Sequence, residues 1–228
     1  ELMQNRPQQA AQVAQEALKW LTAGDKLPLL RMDLADALSA LSASDGTSKD
    51  TARQLYQQIA IEHADSPVAA RATYNAAFAA LENSDAADAK KWSELFAKRY
   101  PQDALAPDVT YVLAESLLQL NQPSEAITLL DQLIAAQKDN PMQTAWQLRL
   151  GHALYLAGQH DRAIDTMKRL AEQSADAATK AEALYLVGAS YFQQDKLLES
   201  ETALQASIDA KPDWRDGDET LLMLAQCL

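Results

Sequence analysis

Four series of equivalent residues recur along this chain at a spacing of 37 residues. The first consists of small residues: Ala40, Ala77, Ala114, Gly151, Gly188 and Ala225. The second lies 12 residues after it: Ala52, Ala89, Ala126, Ala163 and Ser200. A large apolar series follows seven residues later (Ile59, Phe96, Leu133, Leu170), and another precedes the first by three residues (Tyr74, Tyr111, Leu148, Tyr185, Leu222). Because a fixed period of about 20–50 residues is the signature of repeat architectures, the chain is predicted to be an array of similar units.

The offset of 12 residues between the two small series predicts two helices joined by a tight turn. Small side chains recur where two helix axes come close, because a larger side chain would push the axes apart. Turn-forming residues lie between the two series: Asn83-Ser84-Asp85, Asn121-Gln122-Pro123-Ser124, Gly158-Gln159-His160-Asp161 and Gln194-Asp195-Lys196. Such residues favour turns and helix N-termini. Each repeat is therefore predicted to contain a first helix, a turn, a second helix and a loop to the next repeat.

The composition favours an all-α fold, because the chain is rich in Ala, Leu and Gln and has only 6 Gly and 8 Pro among 228 residues. We expect a single solenoid over residues 1–228 with an N-terminal helix at 7–23 and a truncated first helix at 215–228. The repeats are expected near 30–66, 67–103, 104–140, 141–177 and 178–214. Neither end shows the polar capping helix that repeat stacks use, so we expect the segment to belong to a longer protein.

The charge of the chain excludes one class of partner. With 20 basic and 32 acidic residues, the formal net charge is −12. A chain this acidic repels the phosphates that dominate nucleic-acid affinity, so no nucleic-acid partner is expected.

No apolar run of about 18 residues is present, so no direct membrane insertion is expected. The single cysteine, Cys227, cannot form an internal disulfide and leaves the compartment open.

The repeat resembles the tetratricopeptide repeat. The stretch LGHALYLAGQHDRAI (150–164) matches that motif most closely, and LAESLLQLNQPSEAI (113–127) and LVGASYFQQDKLLES (186–200) also match it. The resemblance implies a right-handed superhelical α-solenoid of helix-turn-helix repeats. The Tyr100-Pro101 step is similar to the longer-repeat subgroup of bacterial envelope proteins, such as the TolA-binding protein and the lipoprotein of the outer-membrane assembly machine. The period of 37 residues departs from the usual one of about 34 residues, and we assign the difference to a longer loop between repeats.

The resemblance also implies a binding groove on the concave surface, which first helices line in this family. Its predicted residues in this chain are Arg71, Tyr74, Asn75, Phe78, Asp108, Tyr111, Glu115, Arg149, His152 and Tyr185. The three tyrosines suit a groove for an extended peptide or a partner helix, because the ring combines an apolar face with a polar tip. The alternative is that these rings pack between neighbouring helices.

The cationic residues of the predicted groove indicate what it does not bind. Some members of the family bind a C-terminal carboxylate of a peptide with paired Lys and Asn residues. Of the corresponding positions in this chain, only Arg149 suits an anion. No such carboxylate clamp is therefore expected. Arg71 and Arg149 are expected either to meet an acidic partner or to pair with Asp108 and Glu115.

No catalytic, cofactor or metal constellation is found in the sequence, so the chain is not expected to be an enzyme. The histidines (His63, His152 and His160) have no second ligand three or four residues away. The favoured hypothesis is a protein-interaction scaffold that binds a peptide or helix of a partner, with self-association left open. The alternative is an accessory repeat domain of a larger enzyme or envelope transport or assembly machine. The bacterial periplasm or envelope is the favoured compartment, and the cytoplasm is the alternative.

Overall fold

The described part of the chain is entirely helical. The computed structural model describes residues 6–41 and 46–227, which form twelve α-helices and no strand. The chain divides into two compact units, residues 1–120 and 121–228. Unit 1 contains α1 (Pro7–Leu18), α2 (Leu27–Leu41), α3 (Gly46–Glu62), α4 (Ala69–Glu82), α5 (Ala86–Arg99) and α6 (Ala106–Gln119). Unit 2 contains α7 (Pro123–Ala136), α8 (Gln143–Leu156), α9 (His160–Gln173), α10 (Ala177–Gln193), α11 (Leu197–Ala210) and α12 (Gly217–Cys227). The predicted all-α fold class is confirmed.

Each helix packs mainly against its neighbours in the chain within its own unit. Alternate helices also meet: α4 contacts α6 in unit 1, and α10 contacts both α8 and α12 in unit 2. We call the even-numbered helices α2 to α12 the first helices, and α3, α5, α7, α9 and α11 the second helices. Each unit thus has a first-helix face, formed by α2, α4 and α6 in unit 1 and by α8, α10 and α12 in unit 2.

The predicted turns between first and second helices have a common backbone conformation. Ser84, Asn121, Gly158 and Asp195 all have a positive φ, of 57°, 57°, 71° and 57°. Around Ser84, the Asp85 amide donates to the Ala80 carbonyl at 2.9 Å, and the same bond recurs from Gln159 to Leu154 and from Lys196 to Tyr191. This is the Schellman cap, which uses one left-handed residue to satisfy the last carbonyls of a helix.

The inner members of the small-residue series lie where helices come close. Ala77 and Ala114 are fully buried, and a Cβ at Gly151 or Gly188 would stand within 3 Å of the facing second helix. Ala40 and Ala225, the first and last members of the series, are exposed. The large apolar series (Ile59, Phe96, Leu133, Leu170) is buried throughout. Small residues at the contacts therefore let the larger apolar side chains fill the space between helices.

From α4 onward, the helix starts keep a spacing of 37 residues with one exception. The second helices α5, α7, α9 and α11 begin at residues 86, 123, 160 and 197, and the first helices α4, α6 and α8 begin at 69, 106 and 143. The start of α12 at 217 keeps the same register, whereas α10 begins early, at 177. Asp176 starts α10 early by accepting a bond from the Thr179 amide at 2.8 Å. The 37-residue period of the whole chain stays a prediction. The predicted repeat at 30–66 and final helix at 215–228 include residues 42–45 and 228, which lie outside the described residues, as do residues 1–5.

Candidate functional site

The ten residues predicted for the groove lie on first helices in both units. Unit 1 holds seven of them: Arg71, Tyr74, Asn75 and Phe78 on α4, and Asp108, Tyr111 and Glu115 on α6. Unit 2 holds the other three: Arg149 and His152 on α8, and Tyr185 on α10. The structure therefore gives two local groups, each of which is described within its own unit.

Asp36 on α2 is the centre of the group in unit 1. Its Oδ1 accepts a hydrogen bond from the Tyr56 hydroxyl at 2.8 Å and one from Asn75 Nδ2 at 3.5 Å. Its Oδ2 forms an ion pair with Arg71 Nη2. Arg71 is expected from the sequence to pair with Asp108 or to meet an acidic partner, whereas in the structure it pairs with Asp36 on α2.

A cavity of about 360 Å³ opens between these helices on the first-helix face of unit 1. Phe78 lies at its edge with 42% of its surface exposed, and its ring stacks on Tyr74 at a centroid distance of 6.0 Å. The remaining lining residues are Asp36, Ser39, Ala40, Tyr56, Asn75, Ala79 and Glu82. An exposed aromatic ring beside hydrogen-bonding groups can hold both the apolar and the polar parts of a ligand.

Several lining residues were missed at the level of sequence: Asp36, Ser39, Tyr56 and Glu82. The predicted groove begins in the second repeat, so α2 and α3 contribute no residue to it. The period does not point to Asp36 or Ser39, because their equivalents on α4 are Thr73 and Ala76, which are fully buried.

The electrostatic character of this face in unit 1 is negative. Burial raises the pKa of the Tyr74 hydroxyl, and the negative charges of Asp108 and Glu82 raise it further. Partial burial also raises the pKa of the Asp108 carboxyl. Both shifts have the direction expected where removal from water and nearby acids disfavour a further negative charge.

The group in unit 2 centres on a histidine–glutamate contact between α8 and α10. His152 Nε2 lies 3.1 Å from Glu182 Oε1, so an Nε2–H donates to the carboxylate. This hydrogen bond lowers the pKa of Glu182 against the opposing effect of burial, and the positive charges of Arg215 and Arg149 lower it further.

The tyrosines of the predicted ladder pack against helices as well as facing outward. Tyr74 packs against the core of unit 1, and Tyr185 packs against the core of unit 2. The Tyr185 ring also meets Trp214 at a centroid distance of 5.5 Å, and burial together with Glu219 raises the pKa of its hydroxyl. Tyr111 is half-buried on α6. Tyr74 and Tyr185 are therefore partly packed between helices, as the alternative interpretation of the tyrosines expects.

Further cavities lie away from the first-helix faces. One of about 600 Å³ lies at the loops around Gly24 and the segment 62–67. Another, of about 350 Å³, lies among α7, α8 and α9, where Arg162 Nη2 donates to both carboxylate oxygens of Asp131 at 2.6 Å. Among the described residues, neither is lined by a Phe, Tyr or Trp side chain, in contrast to the cavity at Phe78.

Two negative findings apply to the described residues alone. Within residues 6–41 and 46–227, no group of three His, Cys, Asp or Glu side chains is placed to hold a metal ion. In the same part of the chain, no helix has the length and apolar character needed to cross a membrane.

Comparison with known proteins agrees with the helical-repeat fold. Residues 111–178 match the family model of the tetratricopeptide repeat. The fold is similar to that of YrrB, described as a TPR protein with an unusual peptide-binding site, at 22% identity and a TM-score of 0.67 over 96% of this chain and 100% of that one. It is also similar to MamA, at 17% identity and a TM-score of 0.66 over 83% of this chain and 94% of that one. The chain has no match among curated protein sequences. The fold is thus that of tetratricopeptide repeat proteins, and the family itself is supported for residues 111–178.

Proposed function

We propose that this chain is a protein-interaction scaffold that binds a peptide or helix of a partner on its first-helix faces. The tetratricopeptide repeat match supports this function in general, because proteins of that kind bind protein or peptide partners and are generally non-catalytic. The peptide-binding site named for YrrB belongs to a protein with the same fold. Because fold alone does not assign function, the proposal depends on the site itself.

The observation that carries the proposal is the cavity beside Phe78. Phe78 is a large aromatic side chain with 42% of its surface exposed, on a helix whose core-facing Ala72 and Ala76 are fully buried. The ring is held in place by its stacking on Tyr74, and Asn75 is held by its bond to Asp36. Rigid aromatic groups bordered by fixed polar groups are typical of the residues that contribute most to binding.

The proposal is tested by affinity capture from an extract of the cells that make the protein, with a variant and a matched control. Phe78→Ala removes the exposed ring on α4. Ile61→Ala removes an exposed apolar side chain of 64% exposure on the second helix α3. We expect a partner that is captured by the unchanged chain and by Ile61→Ala and is lost with Phe78→Ala. Equal capture by both variants would place the binding surface elsewhere.

Two further predictions belong to this proposal. The envelope-type subgroup and the periplasmic compartment depend on the Tyr100-Pro101 resemblance, and fractionation of the producing cells tests them. Self-association is tested by light scattering over a range of concentrations, where a mass that rises above the 25.0 kDa of one chain would support it.

A further inference from the structure

We infer that the cavity in unit 1 receives the basic side chain of an arginine or lysine from the bound peptide. This inference rests on the proposed function and specifies the partner chemistry for one part of the first-helix face.

Among the described residues, the lining of the cavity carries two carboxylates, Asp36 and Glu82. Their ion-pair partners, Arg71 and Lys49, lie outside the lining. Lys49 Nζ approaches Glu82 Oε2 only to 4.0 Å, and the Glu82 side chain remains 49% exposed. A charged group that enters the cavity therefore meets a carboxylate that is accessible and loosely paired.

Two other polar groups of the cavity already use their donors on Asp36. The amide nitrogen of Asn75 is already directed to Asp36, as is the Tyr56 hydroxyl. Each carboxylate oxygen can accept more than one hydrogen bond, and a guanidinium or ammonium group has several N–H donors and no acceptor. The cavity is therefore complementary to a ligand that only donates.

The apolar part of the lining suits the rest of a basic side chain. Arginine and lysine have methylene stems that pack on apolar surfaces while the charged end stays polar. Ala40, Ala79 and the Phe78 ring provide such a surface, and the ring face also attracts a cation directly. The negative charges of Asp108 and Glu82, which act on Tyr74, extend the favourable potential along the same face.

The test titrates two acetylated and amidated pentapeptides, Gly-Ala-Arg-Ala-Gly and its citrulline counterpart, into the isotopically labelled chain up to the millimolar range. Citrulline keeps the shape of arginine and removes its charge. The readout is the NMR signals of the Asn75 side-chain amide and the Phe78 backbone amide. We expect saturable shifts at these two positions with the arginine peptide, weaker binding at higher salt, and no saturable shift with the citrulline peptide.

Two pairs of variants separate a local site from general attraction to an acidic protein. Glu82→Gln should weaken binding of the arginine peptide by about three- to tenfold, as expected for the loss of one charge-assisted contact. Glu94→Gln, at an exposed acid on α5 that lies outside the cavity, should leave binding unchanged. Phe78→Ala should weaken binding, and Ile61→Ala should not.

The outcomes distinguish this inference from the proposed function. Equal shifts with both peptides at Asn75 and Phe78 would overturn the basic-side-chain inference and leave the scaffold face standing. Shifts spread over the acidic surface, equal effects of Glu82→Gln and Glu94→Gln, or no binding by the arginine peptide would also overturn the inference. The proposed binding face has a separate test, which fails if a captured partner is retained by Phe78→Ala.

Discussion

Gly188 lies so close to Leu204 that a Cβ at position 188 would stand 2.6 Å from Leu204 Cγ and 3.3 Å from the Leu204 backbone nitrogen. The small residue therefore sets the approach of α11 to α10. For Gly188→Ala, an overpacking cost of about 1–3 kcal/mol exceeds the gain of about 1 kcal/mol that alanine brings over glycine in a helix. We expect a net loss of about 1 kcal/mol in the free energy of unfolding, measured by urea denaturation.

Gly151→Ala is the matched comparison. A Cβ at Gly151 would meet the Met167 Sδ at 2.4 Å and its Cε at 2.8 Å, which are the far end of a flexible side chain. Because methionine can adopt other rotamers, we expect a smaller change than for Gly188→Ala. A Gly188→Ala variant as stable as Gly151→Ala would contradict the close contact described for α10 and α11.

The turn residues provide a prediction of the opposite sign. Ser84 adopts a left-handed conformation with φ of 57°, which is costly for a residue that has a Cβ. We expect Ser84→Gly to stabilise the chain by about 0.5–1 kcal/mol. Ser84→Ala is the control and should give no such gain, because alanine keeps the Cβ. Equal midpoints of thermal unfolding for the two variants would argue against a strained turn.

Asp88 on α5 connects two second helices of unit 1. Its Oδ2 accepts from Arg53 Nη2 at 2.9 Å, from Gln57 Nε2 at 2.9 Å and from Trp92 Nε1 at 3.0 Å. Asp88→Ala would leave the partly buried Gln57 and Trp92 donors without this acceptor, whereas Arg53 Nη2 keeps its bond to Asp85 Oδ2 at 2.8 Å. We expect a loss of about 2–3 kcal/mol in the free energy of unfolding. Chemical denaturation of Glu94→Ala, an exposed acid on the same helix, should show a change within about 0.5 kcal/mol. A similar small change for Asp88→Ala would show that the network contributes little.

The lowered pKa of Glu182 predicts how stability depends on pH. A carboxyl group whose pKa is lower in the folded state contributes stability above its unfolded value, near 4.5, and this stability is lost as the pH falls through the folded value. As the pH falls below 5, the free energy of unfolding of the unchanged chain should therefore decrease more than that of the Glu182→Gln variant.

His152→Ala should raise the pKa of Glu182, because the largest cause of its lowering is removed. Urea unfolding at several pH values measures the first effect, and carbon NMR titration of the Glu182 carboxyl measures the second. An unchanged titration in His152→Ala would contradict the contact.

Local signals in the sequence predicted the fold well, whereas the candidate site depended on contacts between repeats. The turn at Gly158 and the close approach at Gly188 can each be predicted from a single residue. Gly158 is suited to a positive φ, and Gly188 lacks the side chain that would keep two helices apart. The ion pair between Asp36 and Arg71 joins residues 35 positions apart on two helices, and its formation depends on how α2 and α4 rotate against each other. Residue spacing does not determine that rotation, because it results from the packing of all the side chains in the core.

The central claim is that a partner binds on the first-helix face, and site-specific photocrosslinking tests it most directly. A benzophenone side chain is introduced at Phe78 on α4 and, in a separate protein, at Ile61 on α3, since both positions are exposed. We expect the probe at 78 to crosslink to one defined segment of the captured partner and the probe at 61 not to crosslink to it. Crosslinking from position 61 and none from position 78 would contradict the central claim.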